Sequence, residues 1–394
     1  MKLHHYLAGL AVAILVLAAL DVPLATYIVA SLRESGLAAG IGFAFIGATG
    51  AWPTLYDVAS RQDESGAMRS IAEMLSQSND INDDLPYVEA NERAGHEFSF
   101  RTSIPAGSWR QINQGTPYSK STTAKSRVGL GELVDYSQVD RTLAELSGDI
   151  DAFRESEDVA FLEGMGQTIV QTLIYGNTAV YPAQFMGFAP FYNTLNTATA
   201  QNAANVLDGG GVGNNNTSLW LIGWGPQTIF ALFPRGSKAG LAMEDKGDTT
   251  PGFDSVGNRF EAYTSWFRQQ AGLCPMDWRY AVRCANIDVT NAGLAGPNAL
   301  DIFATMSEML LNFPKLTKPT SGIVKTDAPS DSAVGIRPVF YCNRTLRHWM
   351  DVQAIRDRNV LLTKDDYAGQ PIEHYRGIPV KIVDQIVNNE ATVS

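Results

Sequence analysis

Apolar positions along this chain change their period several times, and each change predicts an element. From His96 the period is two: Phe98 and Phe100 alternate with Glu97 and Arg101, as on a half-buried strand. Alternation returns at Val128, Leu130, Val134 and Tyr136. Between the two runs, Thr102 to Arg127 is polar, and Ile104, Trp109, Ile112 and Tyr118 are nearly its only large apolar side chains. The pattern predicts an extended hairpin over His96–Tyr136 whose tip is too polar to collapse on a core of its own. An ordinary surface loop is the plainer reading. After Ser147 and Asp149, either of which can cap a helix, the period becomes 3.6. Val159, Leu162, Gly166, Ile169 and Leu173 form one stripe, with Met165, Val170 and Ile174 beside it. Asp151, Glu155, Glu157 and Asp158 crowd the early turns, where the helix dipole favours carboxylates. One long helix is expected from Ile150 to Tyr175, with Gly176 as its C′ residue.

Further on, the pattern is β-rich and aromatic. Leu219–Trp224 reads as a fully buried strand and Thr228–Phe233 as another. Two alternating stretches, Arg259–Gln269 and Trp278–Asp288, flank Gly272–Pro275 and predict a large hairpin. After Gly296–Pro297, Asn298 is placed to cap a helix over Ala299–Asn312 with Leu300, Phe303, Met306 and Leu310 buried, and Pro314 ends it. A Pro/Ser/Asp-rich loop, Lys315–Ser332, leads to a short buried strand at Val339, Phe340 and Cys342. Asn343 then caps a helix over Arg344–Arg358. A Gly377–Pro379 corner starts the last strand. Upstream of all this, residues 51–90 read as an arm. Pro53 starts one short helix through Ala59, Met68–Leu75 is another, and Asn79–Pro86 is an acidic loop.

Composition narrows the function. The chain has 394 residues, 45% of them hydrophobic and 18% charged, enough to build real cores in two lobes or one elaborated domain. The formal charge is −11. Such a surface does not attract phosphate backbones, which argues against wrapping DNA. Cys274, Cys284 and Cys342 are odd in number and widely spaced, so free buried thiols are expected. The N-terminus is unusual: Lys2, His4 and His5 precede an unbroken apolar run from Leu7 to Leu20, which resumes after Asp21 to Ala30. It reads as a signal peptide, as a membrane span if Asp21 is tolerated, or as a segment upstream of the real start.

No arrangement for catalysis emerges. Among the His residues, His348 lies one turn after Arg344 and reads as packing or solvent-facing. No HExxH, paired-His spacing or GxSxG is present. Asp83/Asp84 and Asp365/Asp366 read as solvated turns rather than acid/base dyads. The glycine-rich run Asp208–Asn216 fits neither GxGxxG nor a P-loop with lysine. Asn215–Thr217 and Asn343–Thr345 match glycosylation sequons, the second better explained as a helix cap. No cofactor or metal is expected.

Two segments carry a resemblance. Arg337-Pro338-Val339-Phe340-Tyr341-Cys342-Asn343-Arg344-Thr345-Leu346, followed by Tyr375-Arg376-Gly377-Ile378-Pro379-Val380-Lys381, resembles the closing part of tailed-bacteriophage major capsid proteins. Gly236–Leu241 and Asp277–Tyr280 are similar to such proteins as well, and the text resembling them begins near Phe45. The resemblance implies an α+β, Hong Kong 97-like phage capsid fold. It divides the chain into an apolar N-terminal extension (1–43), an N-arm (44–94), an extension loop (95–140) and the spine helix of a peripheral domain (141–180). A β-rich peripheral or insertion region (181–295), an axial domain (296–370) and a C-terminal return strand (371–394) complete it. It implies a non-enzymatic head-shell subunit that assembles with copies of itself as pentamers and hexamers in the host cytoplasm. Scaffold, portal and decoration proteins are implied partners, and DNA is enclosed without sequence-specific binding. Trp109, Arg110, Tyr118, Lys120 and Lys125 are the candidate inter-subunit contacts; some capsid proteins form a lysine–asparagine cross-link, but no partner or acidic catalyst for the two lysines can be located in the sequence, and none is expected. An encapsulin-like compartment and a secreted or membrane-anchored binding protein are the alternatives.

Overall fold

The structure is a computed structural model that describes residues 79–247, 250–253, 257–290, 300–314, 335–357, 362–367 and 370–394. The expectations for residues 1–43, the short helices at Pro53 and Met68–Leu75, the Gly296–Pro297 corner and the Lys315–Ser332 loop lie outside the described residues. In chain order, α1 (Ile81–Asp84) and β1 (Tyr87–Glu89) precede β2 (Gly95–Ser103) and β3 (Thr122–Gly129). Next come β4 (Gly131–Asp140), α2 (Arg141–Leu146), α3 (Ile150–Tyr175), α4 (Phe188–Phe191) and β5 (Val206–Asp208). The middle of the chain forms β6 (Asn216–Trp224), β7 (Ile229–Phe233), β8 (Leu241–Asp245), β9 (Thr250–Phe253), β10 (Arg259–Pro275) and β11 (Ala281–Asp288). The end forms α5 (Ile302–Asn312), β12 (Arg337–Cys342), α6 (Arg344–Asp357), β13 (Leu362–Tyr367), β14 (Gln370–Tyr375) and β15 (Ile378–Ile382).

The chain divides into two compact units. The smaller contains Gln138–Ser156 and Lys246–Thr264, and the larger contains Glu157–Asp245, Ser265–Ser394 and the stretch ending at Ser137. In the larger unit β6 is the hub. It pairs antiparallel with β11 on one side and β12 on the other. β11 continues to β5, and β12 continues through β15 and β14 to β13. Successive residues of these strands point to opposite faces, and both faces are covered. Trp220, Ile222, Trp224, Val339 and Tyr341 face a core that includes Ile169, Val170, Leu173 and Ile174 of α3. Leu219, Leu221, Val282, Phe340 and Cys342 face a second core with Phe303, Met306 and Met309 of α5 and Leu346 and Met350 of α6. This is why the strands read as continuous apolar runs rather than as alternation. The smaller unit has its own core of Val139, Leu143, Ala144 and Phe153, with Ile150 and Tyr263 packed on it. Its helix α2, absent from the sequence reading, is capped by Asp140, whose carboxylate accepts from the Thr142 and Leu143 amides.

The long helix has the expected ends, and Asp149 is its cap: Oδ1 accepts from the Ala152 amide at 3.1 Å. Two details differ from expectation. The buried face runs through Phe153, Asp158, Met165, Ile169, Val170, Leu173 and Ile174, whereas Val159 and Leu162 are 42% and 38% exposed. Asp158 takes the inward position because the Ser265 hydroxyl donates to it at 2.9 Å. Gly176 does not need a left-handed backbone. A Cβ there would lie 2.4 Å from the Thr172 carbonyl oxygen and 2.5 Å from that of Phe185, so close backbone approach requires glycine.

The hairpin predicted around Gly272–Pro275 does not form. β10 runs straight through that stretch and pairs with β7, while β11 pairs with β6 and β5. Gly272 serves packing, since a Cβ would meet Leu130 Cδ2 at 2.7 Å. The helix expected from Ala299 begins at Ile302, because Asp301 is the effective cap, accepting from the Ala304 amide at 2.9 Å. Asp365 and Asp366 lie within β13 rather than in a turn. Arg376 and Gly377, both with positive φ, form the two-residue turn between β14 and β15. His374↔Pro379 pair across it, and β12 meets β15 only from Val380 on, so the proline withholds no needed donor.

Candidate inter-subunit surface

β2 and β3 pair antiparallel from Gly95↔Gly129 to Ser103↔Thr122, so the second strand of the hairpin lies earlier than expected, within the stretch read as polar tip, while Val134 and Tyr136 belong to β4. At the root the hairpin is built firmly. A Cβ at Gly95 would lie 2.8 Å from the Val128 carbonyl oxygen, so only glycine fits. The Asn91 side chain brackets Glu97, donating to its carbonyl at 2.6 Å and accepting from its amide at 2.9 Å. The Asn91 amide donates to His96 Nδ1 at 3.3 Å. The imidazole stacks on Phe98 and stands edge-on to Phe230, with centroids 6.5 and 5.9 Å away. Burial holds its pKa below the usual histidine value. Val128 and Phe230 then join Ala90, Leu232 and Cys274 in a satellite core.

Beyond Ser103 the character changes. Residues 104–121 form no strand or helix and are nearly all exposed. Ile104, Trp109, Ile112 and Tyr118 present essentially their whole side chains to solvent. Exposed single hydrophobes are ordinary, but four on one eighteen-residue tip are not. Arg110 and Lys120 share this tip and, among the described residues, form no ion pair there. Lys125 does not share it. It sits on β3 with Nζ 2.8 Å from Glu97 Oε1, which raises the lysine pKa and lowers that of Glu97. Arg127 pairs likewise with Glu92 at 2.9 Å. Of the five candidate contacts, four therefore lie on the open tip, and Lys125 is already engaged in bracing the hairpin.

Two polar clusters, one buried and one partly buried, were not legible in the sequence. Arg283 Nη2 and Glu390 Oε2 lie 2.8 Å apart, each with only 4% of its side chain exposed. The Ser218 hydroxyl donates to the same carboxylate, and the Tyr175 hydroxyl donates to Oε1 at 2.6 Å. Arg283 also donates to the Tyr192 carbonyl at 2.7 Å and lies over the Trp220 ring. Burial, then the Glu390 carboxylate, pushes the Tyr175 phenol well above its usual pKa. The second cluster corrects the reading of Asp83/Asp84 as a solvated turn. Asp84 lies at the end of α1, accepting from the Tyr341 hydroxyl at 2.6 Å and pairing with Lys381 Nζ at 2.7 Å. Trp224 Nε1 donates to Tyr341 Oη at 2.7 Å. Both clusters fasten chain segments to the central sheet, and neither presents a nucleophile beside a base.

The cysteines are free and buried, and burial raises each thiol to about 12. His348 is exposed and edge-on to Trp349. Asn343 caps α6 through the Leu346 amide at 2.8 Å and is itself buried against Thr217 and Asn388. Among the described residues, no group of three or more His, Cys, Asp or Glu is placed to hold a metal ion, and no helix is long and apolar enough to cross a membrane.

With this geometry in view, comparison with known proteins is direct. The family described as Major capsid protein GP7 matches residues 63–394. A chain from the structure of bacteriophage Epsilon15 superposes with a TM-score of 0.67 at 30% identity, covering 89% of this chain and 99% of that one. A chain of the bacteriophage JBD30 capsid aligns at 11% identity and a TM-score of 0.43, covering 82% and 97%. A comparison with curated proteins gave no match.

Proposed function

The chain belongs to the major capsid protein GP7 family, and we propose that it closes into an icosahedral shell as pentamers and hexamers around double-stranded DNA. It is a tailed-phage head-shell protein with the Hong Kong 97-like fold, and its place is the virion. Its role is structural, and it acts in assemblies with other capsid subunits. The family match does not favour the encapsulin-like or secreted alternatives. The finer reading is ours. The hairpin is the extension loop, α3 is the spine of the peripheral domain, residues 296–370 form the axial domain at capsomer centres, and 371–394 return to the peripheral domain. Scaffold, portal and decoration proteins assist, and assembly takes place in the host cytoplasm.

One observation carries this reading: a firmly rooted hairpin ends in a tip whose Ile104, Trp109, Ile112 and Tyr118 have nothing of their own chain to cover them, among the described residues. Ordering eighteen such residues costs about 1–2 kcal/mol each in backbone entropy, and another chain must offset it. Aromatic anchors are efficient for this, because they add contact area at small side-chain entropy cost. Many weak copies of one contact then close a shell. Trp109→Ser combined with Tyr118→Ser should leave subunit melting unchanged while negative-stain images lose their shells. Shells at wild-type yield would sink the assignment.

A further inference from the structure

After β15 the chain leaves the sheet. Residues 387–394 form no strand or helix, and Glu390 is the only buried side chain among them. Val393 packs on a core from outside. The segment is held instead by polar contacts, and these fall on its backbone at regular steps. The amides of Val387, Glu390 and Val393, each three residues on, donate to the Tyr175 hydroxyl at 3.1 Å, the Asn216 carbonyl at 2.9 Å and Asn286 Oδ1 at 2.8 Å. Asn286 Nδ2 donates in turn to the Val393 carbonyl at 2.9 Å, so one side chain brackets one residue of the tail. The backbone aims it: Asn286 has φ +56° and lies where the register of β11 shifts between Cys284 and Ile287, and a bulge re-aims a side chain in this way. The Ser394 carbonyl accepts from the Leu195 amide at 3.1 Å and the Thr194 hydroxyl at 3.0 Å.

The one side chain that enters the body is Glu390, and the socket it fills is built by other elements. Arg283 on β11 donates through Nε to Ser218 Oγ on β6 at 3.0 Å and through Nη1 to the Tyr192 carbonyl at 2.7 Å, and it lies over the Trp220 ring. These contacts fix the guanidinium and leave Nη2 directed at the tail, where it meets the Glu390 carboxylate at 2.8 Å. A buried, pre-oriented guanidinium flanked by two hydroxyls is a receptor for a carboxylate.

We propose that residues 387–394 are a releasable strap, which docks in this groove as a peptide ligand with Glu390 as its key and opens without unfolding of the sheet. The groove is a receptor for an extended peptide that carries a glutamate, and in this structure the chain fills it with its own. Segments with few buried apolar contacts open at low cost while the core stays closed, and one buried side chain in eight residues places the strap in that class. Asn388 shows what release changes. Its Oδ1 accepts from Asn343 Nδ2 at 2.5 Å, and its Nδ2 donates to Thr345 Oγ1 at 3.1 Å. The strap thereby ties the first turn of α6 to Tyr175 at the end of α3, and opening frees the two helix ends from each other. All of these residues belong to the larger unit, so the step needs no neighbouring subunit.

Native-state hydrogen exchange on the full chain tests release. The amides of Val387, Glu390 and Val393 should exchange together, at least tenfold faster than β6 amides such as that of Leu221, at rates that low urea leaves unchanged. Exchange of all three in the same urea-dependent opening as β6 overturns the strap. Recognition of the carboxylate is tested with full-length Glu390→Gln, which keeps the shape of the side chain and removes its charge. A fluorescently labelled peptide of residues 386–394 should bind this protein, by anisotropy, at least tenfold more tightly than the same peptide made with Glu390→Gln. Equal affinity of the two peptides, or binding of neither, overturns the receptor. If Glu390→Gln does not fold, Asn388→Ala at an exposed position of the strap replaces it. That variant should speed exchange of all three strap amides by a common factor, and an effect confined to Val387 overturns their docking as one unit.

Discussion

Replacing Glu390 with alanine removes one half of an ion pair that water barely touches. Arg283 would keep its charge with 4% of its side chain exposed. Tyr175 would lose an acceptor at 2.6 Å, and Ser218 would lose its carboxylate partner. Breaking a buried pair from one side costs about 3–5 kcal/mol, because the remaining ion stays desolvated and alone. The pair as a whole is worth much less, since burying two charges offsets most of their attraction. Glu390→Ala should therefore be more damaging than the double variant Glu390→Ala, Arg283→Met. The double variant still leaves the Tyr192 carbonyl without its Arg283 donor, a penalty of about 1–3 kcal/mol. Urea unfolding of isolated subunits, with the slope checked for constancy, measures both. A single-variant loss under about 1 kcal/mol, or losses that add in the double variant, would refute the reasoning.

Further outcomes follow from other sites. Phe340 is fully buried between α5, Leu346 and Tyr375, so Phe340→Ala should cost about 3–5 kcal/mol; a wild-type melting profile would contradict it. Gly176→Ala forces a Cβ within 2.5 Å of two carbonyl oxygens and should cost at least about 1–3 kcal/mol, seen as a lowered urea midpoint. At the hairpin root, the folded pKa of His96 lies below its unfolded value. Its contribution is thus present above the unfolded pKa and lost as pH falls through the folded one. Protease cleavage near Asn91–His96 should quicken on acidification below the usual histidine pKa, and His96→Phe should flatten that dependence.

How much of this was readable from residues alone depends on range. The ends of α3, the Asn343 cap and the β6 strand rest on neighbours a few positions apart, and local patterns carried them. The first strand of the hairpin and its polar tip were legible because the period of two breaks off abruptly, but the second strand was not: β2 pairs with Thr122–Gly129, whose polar side chains read as tip, and Val134 and Tyr136 lie on β4. The phase of α3 was not, because Asp158 looks like a surface residue until Ser265, 107 positions away, supplies a donor. Gly272–Pro275 looks like a turn unless Leu130 is known to press on Gly272. The Arg283–Glu390 and Asp84–Tyr341–Lys381 clusters join residues 107 and up to 297 positions apart. No spacing rule signals them. For the candidate contacts, the sequence placed Trp109, Arg110, Tyr118 and Lys120 on the open tip, but it could not show that Lys125 is held by Glu97 across the ladder.

The central claim is that the tip belongs to a neighbour. Hydrogen exchange on the open tip, residues 104–121, compared between free subunits and assembled shells, tests it most directly. Fast exchange in the subunit and strong protection in the shell is the predicted result. Equal exchange in both states would contradict it.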